Sequence, residues 1–183
     1  MAGKIYEKIT HAELIKLGRD WLIRPYQGKA VYGHYACPVV ITEISTSIQE
    51  QPDIIGFSGR KSILIECKAT LADFKADKSK PFRKNPLSGV GTQRWYLAPH
   101  GVIPHDLIPP MWGLLEVTAK RIIKVARKPE LQERDYDNEI TILLSLLRRL
   151  NITPSGHVAI SKYDFYSKKN RATFFIDEDA SPG

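Results

Sequence analysis

Several classes of protein are excluded by what this 183-residue chain has little of. It holds only two cysteines, Cys37 and Cys67. Both lie in strand-like context, which argues against a disulfide framework or a zinc site and implies a reduced, cytoplasmic setting. No apolar run reaches the length of a membrane span, so no membrane partner is expected. The opening residues, MAGKIYEKITHAEL, lack the apolar core of a signal peptide. There is no internal repeat and no low-complexity stretch. His100, His105 and His157 show no metal-ligand spacing, and Gly89-Val90-Gly91 is too short for a phosphate-cradling loop. Acidic residues are also in short supply, and the net charge of +7 favours an anionic partner. Nucleic acid fits that charge better than a membrane surface does.

The length suits one domain with a full-sized core, read here as residues 1–176, followed by a disordered tail over 177–183. The chain is organised around Pro52 to Thr70, PDIIGFSGRKSILIECKAT. Two apolar, β-branched runs flank Ser58-Gly59-Arg60-Lys61, which predicts a hairpin. Residues two apart on a strand share a face, so Glu66 and Lys68 point one way and Cys67 the other. Two charges at the end of an apolar strand are costly to bury unless paired or metal-bound. With the hairpin in register, Asp53 approaches Glu66 across the ladder. Two carboxylates and an ammonium then converge, an oxygen-rich set that suits Mg²⁺ or Mn²⁺. The bland alternative is a surface hairpin whose Glu66 and Lys68 form a solvated pair.

Elsewhere the patterning alternates between helix and strand. Thr10 and Glu13 form a capping box ahead of a helix carrying Leu14, Leu17, Gly18 and Trp21, which Arg24-Pro25 ends. Val31 to Ser45 reads as a strand interrupted near Pro38, with Glu43 late in it. Thr70 caps a helix through Leu71 to Lys78, which stops before Pro81. The basic run Lys75, Lys78, Lys80, Arg83 and Lys84 follows; it is either a solvated face or a phosphate-contacting patch. Gln93 to Pro99 reads as a strand with His100-Gly101 as its turn, and Arg94 is within reach of a phosphate. Val102 to Pro110 is a Pro-rich loop. Trp112 to Thr118 and Ile122 to Val125 form a second hairpin. Asp137 or Asn138 caps a last helix, residues 138–150, apolar on more than one side. Such a helix is either buried on two faces or forms a homodimer contact. His157 to Ile176 adds strand-like and basic segments.

The pairing of Pro52-Asp53 with Glu66-Cys67-Lys68 resembles the PD-(D/E)xK nuclease superfamily. Asp73-Phe74 with Asp77, and the run from Gly101 through Trp112-Gly113-Leu114, are similar to bacterial and phage members of it. The resemblance covers roughly residues 10 to 126. It implies an α/β, restriction-endonuclease-like sandwich: a central mixed β-sheet flanked by helices. It implies a Mg²⁺-dependent nuclease, with Mn²⁺ as a substitute, acting on DNA, with RNA as the other candidate substrate. Asp53, Glu66 and the Cys67 carbonyl would hold the metal and Lys68 would assist the attacking water. Glu13 and Glu43 are further candidate ligands. Lys75, Lys78, Lys80, Arg83, Lys84 and Arg94 would contact nucleic acid. The alternative is a non-catalytic nucleic-acid-binding or assembly subunit with the same fold.

Overall fold

In the computed structural model, residues 8–23, 36–85, 87 and 89–150 are described. The chain divides into two compact units, residues 1–142 and 143–183, and the architecture below is that of the first. Its elements are α1 (His11–Ile23), β1 (Val39–Thr42), β2 (Ile54–Ser58), β3 (Lys61–Cys67), α2 (Leu71–Asp77), α3 (Pro81–Lys84), β4 (Gln93–Pro99), a 3₁₀ turn (His105–Leu107), β5 (Gly113–Val117) and β6 (Ile123–Arg127). The start of α4 (Tyr136–Arg149) belongs to it too, and the rest of that helix falls in the second unit.

The six strands form one mixed, open sheet in sequence order. β1, β2 and β3 run antiparallel, β3, β4 and β5 run parallel, and β6 returns antiparallel. Parallel neighbours need a crossover, which α2 and α3 supply between β3 and β4. The central strands β3, β4 and β5 are buried almost throughout. That explains their near-continuous apolar runs, since strands covered on both faces lose the alternation of a half-solvated one.

One face of the sheet carries Ile54, Ile63, Ile65, Cys67, Trp95, Leu97, Leu115 and Val117, packed with Leu14, Ile15 and Leu22 of α1. Gly18 permits the close approach of helix to sheet. A Cβ there would meet Ile54 Cδ1 at 2.6 Å and Leu97 Cδ2 at 3.0 Å. The opposite face carries the alternate residues. Phe74 of α2 packs edge-on to Tyr96 at 4.9 Å, and Tyr96 stacks on Trp112 at 4.5 Å. The result is helix, sheet and helix in layers, the arrangement that an α/β chain uses to cover both faces of its sheet.

The expected elements appear with some changes. The central hairpin, α1, the Thr70 cap and β4 lie where expected, and the Thr70 hydroxyl accepts from the Asp73 amide at 3.2 Å. The strand expected over 31–45 is short: β1 covers Val39–Thr42, Glu43 turns out of it at φ 49°, and residues 31–35 lie outside the described residues. Pro81 opens a short helix, α3, after the one it was expected to follow, because the first turn of a helix tolerates proline. The cap of α4 is Asp135, which accepts from the Asn138 amide at 2.9 Å; neither Asp137 nor Asn138 takes that role. The segment 157–176 and the tail 177–183 lie outside the described residues. No helix among the described residues is long and apolar enough to cross a membrane.

Candidate active site at the end of the central hairpin

The β2–β3 ladder ends on the Ile54–Ile65 pair, and Asp53 and Glu66 are the next residues beyond it on the two strands. Glu66 stands on the α2–α3 side of the sheet, beside Lys68 and Arg83, and Asp53 lies at the end of the ladder within reach of α1. Asp53 Oδ2 accepts from the Cys67 amide at 2.7 Å, which fixes the carboxylate against the last residue of β3. Cys67 itself turns into the α1 side, where burial pushes its thiol well up. Burial, and then the charge of Glu66, raise the Asp53 carboxyl above its ordinary range. Two acids forced together in this way are a common sign of a site built for a cation or for proton chemistry.

Lys68 Nζ donates to Glu66 Oε2 at 2.9 Å and to Asp77 Oδ1 at 3.2 Å. Burial works to lower its pKa, but Glu66 and Asp77 outweigh that, and the ammonium is held charged. Asp77 is the hub of the cluster. Its side chain is 1% exposed and also accepts from Arg83 Nε at 2.7 Å and from the Tyr96 hydroxyl at 2.9 Å, with Lys80 Nζ 2.9 Å away. Burial opposes ionisation, yet Arg83, Lys68 and Lys80 together hold its carboxyl well below the usual range.

Arg83 is bonded to Glu50 as well, and its Nη2 lies 3.1 Å from Glu66 Oε1. That last contact is an ion pair in distance only, because neither atom has a hydrogen-bond partner. Glu50 Oε2 accepts from the Val90 amide at 2.7 Å, and burial raises its carboxyl. The Arg83 guanidinium also stacks 4.7 Å from both Phe82 and Trp112.

Asp53, Glu66 and Lys68 are therefore brought together, with the Cys67 backbone beside Asp53. The other candidates divide. Glu43 lies exposed next to Asp53, its amide donating to the Asp53 carbonyl at 3.0 Å. Glu13 pairs with Arg121 Nε at 2.6 Å. His11, two residues earlier on α1, has its Nε2 3.6 Å from Asp53 Oδ1. Lys75, Lys78 and Lys84 are exposed, and Lys80 is half-exposed but tied to Asp77.

Arg83 and Arg94, the two arginines among the candidate phosphate contacts, have buried side chains with partners inside the protein. The Arg83 side chain is 5% exposed and committed to three carboxylates. Arg94 is 1% exposed, and its guanidinium donates to the carbonyls of Gly89, Val90, Gly91 and Glu133. It pins the loop before β4 to the segment before α4.

No protein-family model matches this chain, and neither a characterised protein nor a solved structure is significantly similar to it.

The donor set is compatible with a small hard cation. Glu66 Oε1 is a buried carboxylate oxygen without a hydrogen bond, 3.1 Å from Arg83 Nη2, and Asp53 Oδ1 lies 3.6 Å from His11 Nε2. No group of three metal-ligating side chains is assembled among the described residues. Mg²⁺ does not need one, since it commonly binds through one or two carboxylates, water and a substrate phosphate.

Proposed function

We propose that the protein is a divalent-metal-dependent nuclease of restriction-endonuclease-like fold, hydrolysing phosphodiester bonds in DNA. The observation that carries this reading is the placement of Asp53 and Glu66 together at the end of the β2–β3 ladder, with Lys68 hydrogen-bonded to Glu66. Asp53, Glu66 and the Cys67 carbonyl would hold the metal, which when bound lowers the pKa of a coordinated water and offsets phosphate charge. Lys68 contributes a fixed positive charge at the end of β3, oriented by Glu66 and Asp77 so that it needs no rearrangement during reaction. The exposed Lys75 on α2, Lys78 at its C-terminal cap and Lys84 on α3 offer charge to the flanking backbone.

A second reading is a non-catalytic nucleic-acid-binding subunit. It is favoured by the pairing of Glu66 with Lys68, and of Asp77 with Lys68, Lys80 and Arg83, inside the protein. Cleavage of single-stranded, duplex and branched DNA with Mg²⁺, Mn²⁺ or EDTA separates the two, with wild type and Glu66→Ala run side by side. Metal-dependent cleavage lost in the variant is the expected result. Salt-sensitive binding by both proteins, with cleavage by neither, would establish the second reading instead.

A further inference from the structure

A cavity of about 390 Å³ opens where β3, β4 and β5 end, on the α1 side of the sheet. In sheets with parallel strands, ligands commonly bind outside the carboxyl ends of those strands. The cavity is lined by Ala69, one residue beyond Lys68, by Pro99 and His100 at the end of β4, and by Val117 and Ala119 at the end of β5. Ile9 and Val102 complete an apolar wall, and Lys8 and Arg121 stand at its edge.

The charged groups here have defined settings. Arg121 is tied by its Nε to Glu13 and donates from Nη1 to the Ala119 carbonyl at 3.2 Å. His100 Nδ1 lies 2.8 Å from Glu116 Oε2, and His105 Nε2 lies 3.5 Å from Glu116 Oε1. Glu116 also accepts from the Gly101 amide at 3.2 Å. Glu116 and Glu13 thereby orient the imidazole and the guanidinium. Lys8 is exposed. The volume falls within the roughly 300–1,000 Å³ of small-molecule sites, and an apolar wall with a few placed polar groups is their usual composition.

We propose that this cavity is a nucleotide subsite. The apolar wall of Ile9, Val102 and Val117 takes a base, and Lys8 and Arg121 take the phosphate attached to it. The inference rests on the nuclease reading, because it names the nucleotide that the chain would hold at the strand ends, on the α1 side of the sheet, while the acid cluster works on the reacting phosphate. Its chemistry is nonetheless separable, since binding at this cavity needs neither a metal nor turnover.

The test is equilibrium binding to the full chain in EDTA, followed by calorimetry. The probes are deoxyadenosine 5′-monophosphate, deoxyadenosine and inorganic phosphate. Ala119→Trp, at an exposed position, fills the cavity, and Lys8→Glu reverses one charge on its edge. The monophosphate is expected to bind wild type at least about tenfold more tightly than inorganic phosphate does. Ala119→Trp should abolish that binding, and Lys8→Glu should weaken it roughly fivefold. Absence of monophosphate binding to wild type would overturn the proposal. So would equal affinity for inorganic phosphate, or binding unchanged in both variants. Binding without DNA cleavage would keep the subsite and remove the nuclease reading, while cleavage without binding would do the reverse.

Discussion

Replacing Asp53 by Asn should stabilise the metal-free protein. Asp53 and Glu66 are the next residues beyond the end of the β2–β3 ladder, and Cβ atoms opposed across a ladder stand about 5 Å apart. Two like charges at that separation repel by about 3 kcal/mol at an effective dielectric of about 20. Lys68 already engages Glu66 Oε2, and Lys68 and His11 also attract Asp53, so the repulsion is partly offset. Asn retains an oxygen to accept from the Cys67 amide. A net gain of about 1 kcal/mol is the expected result. Burial and Glu66 raise the folded-state pKa of Asp53. Such an acid destabilises the fold while ionised, and the penalty disappears as pH falls through its folded value. The variant's advantage should therefore be largest near neutral pH and shrink below it. Urea denaturation in EDTA gives the free-energy difference, and a second series with Mg²⁺ gives the coupling. Wild type should gain stability from Mg²⁺ and the variant much less. A variant less stable than wild type in EDTA by more than about 1 kcal/mol, or one that gains equally from Mg²⁺, would refute the reasoning.

Asp77→Ala should cost about 3–5 kcal/mol in urea denaturation, because it leaves Lys68 and Arg83 buried with one partner fewer each. The folded-state pKa of Asp77 is depressed. Its stabilisation is therefore complete above the ordinary aspartate value of about 4 and is lost as pH falls below that; an acid-limb slope unchanged in the variant would count against it. Arg94→Met should destabilise by about 3 kcal/mol or more, since it strands carbonyls of the loop before β4. DNA affinity of the folded fraction should be unchanged by Arg94→Met, and a matched loss of affinity would restore Arg94 as a phosphate contact. Gly113→Ala should cost about 1–3 kcal/mol, because its Cβ would be driven into the Trp95 ring, itself braced edge-on by Trp21 at 5.7 Å. A melting temperature equal to that of wild type would show that the ring can yield.

Much of the frame was legible because it is local. The alternation around Ser58 to Lys61 predicts the hairpin, and its register then places Asp53 against Glu66 without further information. The burial of Arg83 was not legible, because a run of lysines and arginines reads as a solvated face. Its partner Glu50 lies 33 residues away in a connection with no spacing signal. Arg94 was open to a better reading. It sits on a strand whose apolar run marks it as covered on both faces, and an arginine there must be internally satisfied. Asp77 was readable too: it lies three residues after Phe74, on the helical face that Phe74 buries. The convergence of His100 and His105 on Glu116 carried no motif, because a strand end and a loop meet there only in the folded chain.

The charge inventory of the cluster bears on what it would accept. Among the described residues it contains four carboxylates, Glu50, Asp53, Glu66 and Asp77, against three cations, Lys68, Lys80 and Arg83. Three of the acids share those cations directly, and Asp53 is left with a backbone amide and a histidine at 3.6 Å. The surplus negative charge therefore resides on the acid that faces Glu66. A divalent cation alone would overshoot that surplus by one charge, and a phosphodiester monoanion would restore the balance. Neutrality favours occupation by cation and phosphate together over either alone, since an uncompensated charge in a partly buried site is what the fold tolerates least. The buried Arg83 has a part in this balance. By pairing with Glu50 and Asp77 and approaching Glu66, it would, on the nuclease reading, lower the demand for a resident ion and make metal affinity depend on the substrate.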